Sequence, residues 1–280
     1  MEETDTKPGD LFILGQHRLI CGDSTRTEDI LRLTGGEKMD LLVTDPPYNV
    51  DYHGAAGSIE NDAMDEKNFE AFLRAAFKGS RATLKQGAAW YIFYANAHGE
   101  TVHRAARKEL GEIREVLIWA KSSFVMGRQD YQWQHEPCVY GWTPGAGHYF
   151  TEARDESTII DDFANINKMS ATEAKRLLKE ILQGDTPTTV IRENKPAASA
   201  DHPTMKPVRL IARLIRNSSR PGEKVLDLFG GSGTTLIAAE QLNRRAFLVE
   251  YDPRYCDVIV RRWEKFTGGK AEKIEREGTK

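Results

Sequence analysis

Residues 225–240, VLDLFGGSGTTLIAAE, join a short apolar run to a glycine-rich loop and then to a helical pattern. This is the order of a buried strand, a tight turn and a helix, and the next apolar run ends near Glu250. Two strands joined through a helix normally lie parallel in one sheet, because parallel strands need a long crossover connection. The stretch therefore restricts the chain to folds of the α/β class.

Similar strand and helix patterns alternate along most of the chain. Apolar runs predict strands over 11–14, 18–21, 40–44, 88–94, 115–120, 135–142, 224–229 and 246–251. Amphipathic spacing predicts helices over 28–33, 68–84, 98–110, 208–217, 234–242 and 253–266. We predict a single domain over 1–280, with a Rossmann-like, doubly wound and mostly parallel sheet that has helices on both faces.

Two stretches depart from this alternation. Residues 143–200 are polar and mixed, with loops around one predicted helix that Ser170 caps and Glu173 closes as a capping box. We interpret this stretch as an insertion within the domain. The charged tail 268–280, GGKAEKIEREGTK, is predicted to fray.

The composition of the 280 residues excludes several protein classes. The three cysteines form no CxxC pair and no histidines are spaced as HExxH, so neither a disulfide framework nor a protein-held metal is expected. No apolar run approaches the roughly 20 residues of a membrane span, and the N-terminus is polar, which predicts a soluble, cytoplasmic protein. The net charge of −3 does not exclude nucleic acid, because binding depends on local basic patches.

The glycine-rich loop predicts a particular kind of cofactor. No lysine follows the glycines as in a Walker A loop, and Leu236 stands where the dinucleotide fingerprint has its third glycine. Asp227 would repel a pyrophosphate but can bind an ammonium group, while Glu250 can accept hydrogen bonds from ribose hydroxyls. S-adenosylmethionine, which has an adenosine and an amino-acid end but no phosphate, fits better than NAD. An NAD-dependent oxidoreductase remains the alternative.

A second motif, DPPY at 45–48, follows the predicted strand 40–44. Two consecutive prolines fix φ and remove backbone donors, so they form a stiff, extended exit from the strand. Taken alone, the motif predicts only a rigid turn that ends a strand.

Together with CGDS at 21–24 and HPTMKP at 202–207, these motifs resemble those of the DNA amino-methyltransferases, which methylate adenine N6 or cytosine N4. In this chain DPPY precedes the glycine-rich loop, which is the circularly permuted order of the β group, with target recognition between the two halves. The resemblance implies a sheet of the methyltransferase type, S-adenosylmethionine as cofactor and double-stranded DNA as substrate. It places target recognition in the insertion 143–200.

The resemblance also implies roles for individual residues. Asp23 would contact the cofactor adenine and Glu250 its ribose, and Thr204 and Lys206 would hold its carboxylate. The methionine moiety would be lined by Asp227, Phe229, Gly231, Ser232 and Gly233. The catalytic residues would be Asp45, Pro46, Pro47 and Tyr48.

The chemistry expected of DPPY follows from the weak nucleophilicity of an exocyclic amine, whose lone pair is conjugated into the ring. We expect the Asp45 carboxylate and the Pro46 carbonyl to accept the two amine hydrogens, while Tyr48 stacks on a base flipped out of the duplex. Aspartate as the first residue favours adenine N6 in this family. Candidate DNA contacts are Tyr52, His53, Lys121, Arg128, Tyr131 and Arg154.

Several alternatives remain open at this point. They are cytosine-N4 methylation, an RNA substrate, and a catalytically silent relative that only binds nucleic acid. The oligomeric state is also open, since relatives include dimers, and such enzymes occur in both bacteria and phages. One spatial prediction follows from the motif order: Asp45 and Gly231 line one cleft, and the strands that precede them are neighbours in the sheet.

Overall fold

The computed structural model describes residues 4–50, 53–54, 57–58, 63–126, 130–152, 156–161 and 205–274. Within these ranges ten strands form one sheet, and β4 (His53–Gly54) and β5 (Gly57–Ser58) pair separately as a short ribbon. The ten strands are β1 (Leu11–Leu14), β2 (His17–Cys21), β3 (Met39–Thr44), β6 (Leu84–Phe93), β7 (Ile113–Val125), β8 (Trp133–Trp142), β9 (Ile159–Asp161), β10 (Lys224–Asp227), β11 (Arg245–Glu250) and β12 (Glu272–Ile274).

The strand order is β12-β1-β2-β11-β10-β3-β6-β8-β7-β9. The five strands from β2 to β6 in this order are parallel, and antiparallel strands flank them on both sides. β10 pairs directly with β3, with Val225 opposite Leu41 and Leu226 opposite Leu42. The predicted adjacency of the two motif-bearing strands is thus confirmed, as is the mostly parallel α/β sheet.

Helices cover both faces of the sheet, as a doubly wound fold requires. They are α1 (Thr27–Thr34), α2 (Glu66–Thr83), α3 (Gly99–Glu109), α4 (Val208–Ser218), α5 (Thr234–Gln241) and α6 (Pro253–Thr267). The apolar side chains of α1, α2 and α3 pack in one buried cluster, and those of α4, α5 and α6 pack in another. Successive β3 residues alternate between the two clusters, since Leu42 lies in the first and Val43 in the second.

The tail differs from its prediction. Residues 272–274 form β12, the edge strand of the sheet, which pairs antiparallel with β1, so this part of 268–280 is not frayed. Lys273 Nζ lies 2.6 Å from Asp10 Oδ2 and donates to the Asp5 carbonyl at 2.7 Å. Backbone pairing and these polar contacts hold a strand that has no apolar alternation to reveal it.

The predicted insertion also differs at its start. Ile159–Asp161, which the sequence did not indicate as a strand, pairs parallel with β7 at the sheet edge. Buried Arg213 of α4 donates from Nε to Glu156 at 2.7 Å and so fastens the segment before β9. The predicted helix capped by Ser170 lies outside the described residues. Among the described helices, none is both long and apolar enough to cross a membrane.

A buried histidine ties four elements together at the base of the sheet. His17 Nδ1 accepts from the Ala246 backbone N–H at 2.8 Å, so Nε2 carries the proton and donates to Glu240 at 2.8 Å. Trp263 Nε1 donates to the same Glu240 oxygen at 2.8 Å. Burial lowers the pKa of His17 despite the nearby Glu240 carboxylate.

Replacing His17 should therefore cost less stability in acid than at neutral pH. Protonation would place a second N–H against the Ala246 donor, so the contribution of His17 is present above its unfolded pKa of about 6.5 and is lost as the pH falls below it. We expect His17→Gln to lower the free energy of unfolding by about 1–3 kcal/mol at pH 8, with a smaller loss at pH 5.5. Urea denaturation across this range measures it, with His98→Gln on the short turn Asn96–His98 as control. A loss that is the same at both pH values would contradict the assignment.

Candidate active site

One buried hydroxyl joins the carboxyl ends of β3 and β10. Thr44 Oγ1 donates to Asp227 Oδ1 at 3.0 Å and accepts from the Leu228 backbone N–H at 3.2 Å. Thr44 immediately precedes DPPY, and Asp227 immediately precedes the glycine-rich loop. The predicted meeting of the two motifs at one edge of the sheet is therefore present in the structure.

The glycine-rich loop is shaped by backbone geometry. Gly231 and Gly233 have φ of 53° and 78°, in the left-handed region that favours glycine. A Cβ on Gly233 would also lie 3.1 Å from Ile259 of α6. The Gly233 N–H donates to the Gly230 carbonyl at 2.8 Å, and Arg262 Nη1 donates to the Ser232 carbonyl at 2.8 Å. These contacts hold the turn of the loop, and no side chain of Gly231 or Gly233 covers its backbone at the sheet edge.

Asp227 organises the beginning of this loop. Its Oδ1 also accepts from the Phe229 N–H at 3.1 Å, and Oδ2 accepts from Thr235 Oγ1 at 2.6 Å. Burial raises the pKa of Asp227 to about 7, although these hydrogen bonds oppose the rise. The carboxylate predicted to bind an ammonium group therefore already accepts three hydrogen bonds within the site, and one lone pair of Oδ2 is its remaining acceptor position.

Glu250 ends β11 beside the same loop. Its Oε2 accepts from the Gly231 N–H at 2.6 Å and Oε1 from the Asp252 N–H at 2.8 Å, while burial raises its pKa to about 7. The Glu250 carbonyl accepts from the Gly22 N–H at 2.9 Å, which brings the CGDS turn to this edge. There Asp23 Oδ1 accepts from the Thr25 N–H at 2.8 Å. Three predicted cofactor residues, Asp23, Gly231 and Glu250, are thereby brought together.

Lys206 spans the two motifs. Its carbonyl accepts from Thr234 Oγ1 at the start of α5 at 3.3 Å, and its Nζ lies 2.5 Å from Asp45 Oδ2 and donates to the Tyr48 hydroxyl at 3.0 Å. The ammonium, predicted to hold a cofactor carboxylate, contacts the DPPY motif in this structure. Thr204, its predicted partner, lies outside the described residues.

Asp45 has one oxygen that is engaged and one that is not. Oδ2 binds Lys206, whereas Oδ1 is buried and has no hydrogen-bond partner among the described residues. Burial raises the pKa of the Asp45 carboxyl, and the Lys206 ammonium opposes that rise. The next residue, Pro46, is buried, which fixes the exit from β3. An unpartnered buried carboxylate oxygen is costly, and it marks an acceptor position at this cleft.

Glu136 of β8 is a site residue that sequence reasoning missed. Its Oε2 accepts from the Tyr48 hydroxyl at 2.8 Å and lies 3.0 Å from Lys206 Nζ, and its Oε1 lies 2.5 Å from Lys121 Nζ. Burial alone would raise the pKa of Glu136, but the two lysines outweigh it and lower the pKa to about 2. The available signal was a single acid within the predicted strand 135–142.

The predicted DNA contacts have different outcomes. Lys121 stays a prediction as a DNA contact, and in this structure its side chain is 13% exposed and its ammonium pairs with Glu136. Tyr131 is 91% exposed and stays a prediction. Tyr52, Arg128 and Arg154 lie outside the described residues, and His53 is described only as backbone of β4.

The described residues give no sign of metal or thiol chemistry at this site. They contain no group of three or more histidine, cysteine and acidic side chains that could hold a metal ion. The three cysteines are free and buried, and burial raises the pKa of the Cys138 thiol well above its ordinary value. The functional groups described at this cleft are carboxylate and hydroxyl oxygens, lysine ammonium groups and the backbone of the glycine-rich loop.

Comparison with known proteins gives a family match over most of the chain. A family model of DNA methylases, of the N6/N4 methyltransferase type, matches residues 39–261. The DNA adenine methyltransferase YhdJ of Escherichia coli strain K12 is 25% identical over 265 residues, which is 92% of this chain and 86% of that protein. The type II methyltransferase M.HpaI of Haemophilus parainfluenzae is 23% identical over 262 residues, covering 90% of this chain and 76% of its own.

Solved structures share the fold. The PvuII DNA methyltransferase, described as cytosine-N4-specific, aligns with a TM-score of 0.64 at 18% identity, covering 95% of this chain and 94% of its own. The M1.HpyAVI–SAM complex aligns with a TM-score of 0.61 at 18% identity, covering 87% of this chain and 97% of its own. At these identities the likeness shows the methyltransferase fold alone.

Removing the Thr44 hydroxyl should loosen the junction between the two motifs. We expect Thr44→Val to lower the free energy of unfolding by about 1–3 kcal/mol, because the change leaves the Leu228 N–H buried without its acceptor and removes one donor from Asp227. Thr44→Ser keeps the hydroxyl and should lose less. Urea denaturation of the three proteins measures the difference, and equal losses in both variants would show that the hydroxyl is not what matters.

Proposed function

The chain belongs to the N6/N4 DNA methylase family, and on that premise we propose that it transfers the methyl group of S-adenosylmethionine to N6 of a flipped adenine in double-stranded DNA. The observation that carries the proposal is Asp45 Oδ1, a buried acceptor without a partner at the exit of β3. An exocyclic amine offers hydrogens that such an oxygen can accept. The Thr44–Asp227 hydrogen bond fastens this acceptor beside the glycine-rich loop.

The residues at the loop fit S-adenosylmethionine in their chemistry. Asp227 and Glu250 are buried carboxylates that can accept from an ammonium group and from ribose hydroxyls, and two glycines with positive φ leave the backbone open. We propose that Asp23 contacts the adenine, Glu250 the ribose, and Asp227 the ammonium end. The methionine moiety would be lined by Phe229, Gly231, Ser232 and Gly233. The relative M1.HpyAVI, of the same fold, was solved as a complex with SAM.

Thr204 and Lys206 are proposed to hold the carboxylate of the cofactor. For Lys206 this role requires an exchange of partners, because its ammonium already binds Asp45 and Glu136. The donor that Lys206 now gives to the Tyr48 hydroxyl can pass to the cofactor carboxylate, which leaves its contacts with Asp45 Oδ2 and Glu136 in place.

The proposed role of DPPY is to orient the amine and to take its proton. Asp45 Oδ1 and the Pro46 carbonyl accept the two amine hydrogens, and the two prolines fix the direction of that carbonyl. The cofactor supplies a methyl group on a positively charged sulfur, and the electron pair of its C–S bond stays with the sulfur when the N–C bond forms. The methylated amine then gives one proton to Asp45, whose raised pKa makes it a better proton acceptor.

Tyr48 supplies a flat surface for the target base. Its hydroxyl is held by Glu136 and Lys206, so the ring has little freedom to rotate away from the cleft. A base in a duplex cannot reach this depth, and it must be flipped out of the stack. Exposed Tyr131 on the segment between β7 and β8 is the described candidate for contact with the surrounding DNA.

Cytosine N4 is the second candidate target, because the PvuII enzyme with the same fold is described as cytosine-N4-specific. Aspartate at the start of DPPY and the adenine-named relative YhdJ favour adenine. Both bases present an exocyclic amine, so the geometry of Asp45 and Pro46 serves either reaction.

Identification of the methylated base tests the proposal directly. The protein is incubated with methyl-labelled S-adenosylmethionine and mixed-sequence duplex DNA, and the DNA is digested to nucleosides. We expect label in 6-methyladenine. Label in 4-methylcytosine would replace adenine by the second candidate, and cofactor binding without label in any DNA would overturn the proposed activity.

Asp45→Asn tests the proposed acceptor while keeping the size of the side chain. We expect kcat to fall by at least about 100-fold, because a buried amide cannot accept the proton and leaves the amine poorly oriented. Cofactor affinity, measured by calorimetry, should change by less than about threefold. Asp65→Asn is the matched control, since Asp65 caps α2 away from the cleft residues and asparagine caps equally well. Loss of cofactor binding in Asp45→Asn would show that its role is misplaced.

A further inference from the structure

Four charged side chains of alternating sign form a chain behind the DPPY motif. Lys121 Nζ lies 2.5 Å from Glu136 Oε1, Glu136 Oε2 lies 3.0 Å from Lys206 Nζ, and Lys206 Nζ lies 2.5 Å from Asp45 Oδ2. The series begins on β7, passes through β8 and ends at Asp45. Asp45 is thereby linked through hydrogen-bonded charges to a strand that carries no recognised motif.

The low exposure of these side chains does not by itself show that their ion pairs stabilise the fold. The side chains of Lys206, Lys121 and Glu136 are 8%, 13% and 16% exposed. Buried ion pairs can often be replaced by apolar side chains of similar volume without loss of stability, because desolvation offsets their attraction. The side chain of Asp45, the fourth member, is 27% exposed and faces the cleft end of the network. A network that runs from buried Lys206 to this carboxylate therefore points to a role in the reaction.

Resting on the proposed function, we propose that Glu136 is a positioning residue for methyl transfer. It divides the Lys206 ammonium between two carboxylates, which keeps that ammonium on Asp45 Oδ2 and leaves Oδ1 for the target amine. Glu136 also accepts a hydrogen bond from the Tyr48 hydroxyl, and this bond fixes the ring on which the base stacks. Without Glu136, Lys206 would be free to bridge both oxygens of Asp45 and compete with the amine.

The charges around Asp45 fix the direction of the expected effects. The groups facing it are Lys206 before α4, Glu136 on β8 backed by Lys121 on β7, Tyr48 in the same loop, Asp227 at the end of β10 and the Cys138 thiol on β8. Removing the negative charge of Glu136 lowers the pKa of Asp45. Removing the positive charge of Lys121 leaves the negative charge of Glu136 less compensated, and this raises the pKa of Asp45.

Two single variants should therefore shift Asp45 in opposite directions. Glu136→Gln and Lys121→Met are prepared with 13C-labelled aspartate carboxyl groups, and the Asp45 signal is assigned by its loss in Asp45→Asn. We expect its titration midpoint to fall in Glu136→Gln, to rise in Lys121→Met and to lie between them in the double variant. A general loss of packing would not shift the titration midpoint of Asp45 in opposite directions in the two variants.

The same variants should separate in their kinetics at saturating DNA and cofactor. In Glu136→Gln we expect kcat to fall by about 10- to 100-fold and the acid limb of its pH profile to move to lower pH. In Lys121→Met the acid limb moves to higher pH. The matched control is Glu109→Gln, which removes an equal charge from the Arg74 ion pair between α2 and α3 and should leave kcat and the profile unchanged.

The outcomes distinguish the two proposals. A wild-type protein that methylates no DNA overturns the proposed function, and the carboxyl titration needs no activity to be read. Beside an active wild type, an unchanged kcat and Asp45 titration in Glu136→Gln overturn the role of Glu136. If Glu136→Gln does not fold, Lys121→Met still decides, since a midpoint that fails to rise there overturns the proposal.

Discussion

The fold depends, at its functional edge, on the hydrogen bonds of the Thr44 hydroxyl to Asp227 and to the Leu228 N–H. They close the junction between β3 and β10, the neighbouring strands whose crossover helices, α2 and α5, lie on opposite faces of the sheet. In an open α/β sheet such a switch point leaves a crevice at the carboxyl ends of the strands. DPPY and the glycine-rich loop emerge at this crevice. The two motifs therefore meet because their strands are neighbours in the sheet, although the motifs lie far apart and in permuted order in the sequence.

The buried carboxylates at that crevice differ in the direction of their pKa shifts, although burial by itself raises the pKa of each. Asp227 and Glu250 are bound by hydroxyl and backbone N–H groups, and burial raises their pKa values to about 7. Glu136 is also buried, but two lysines lower its pKa to about 2. On the DPPY side the charge of Glu136 is thus held fixed, whereas burial raises the pKa of Asp45 itself. The proposed proton acceptor Asp45 therefore lies beside a charge, that of Glu136, which does not change while the proton is transferred.

The sequence was sufficient for the parts of the site that depend on local pattern. Alternating periodicity predicted the sheet, and the glycines at 231 and 233 predicted the loop because their left-handed φ has a recognisable residue preference. Glu136 escaped notice because a single acid in a strand has no local signature, and its lysine partners lie on other elements. The ion pair of Lys121 with Glu136 could not be predicted for the same reason, since a basic residue among aromatic ones has no local signature that indicates its partner. β12 was missed because backbone pairing at the sheet edge imposes no side-chain pattern.

The main chain and the side chain of Lys206 contact different parts of the site. Its carbonyl is fixed to Thr234 at the start of α5, a contact that any residue at this position could make. Its ammonium reaches Asp45, which only a long cationic side chain could do. A displacement of the α5 terminus would therefore move the Lys206 backbone and, with it, the charge on Asp45 Oδ2. Lys206 thus makes hydrogen bonds both to the helix that follows the loop proposed for the cofactor and to the carboxylate proposed for the target base, so one residue contacts both sides of the cleft.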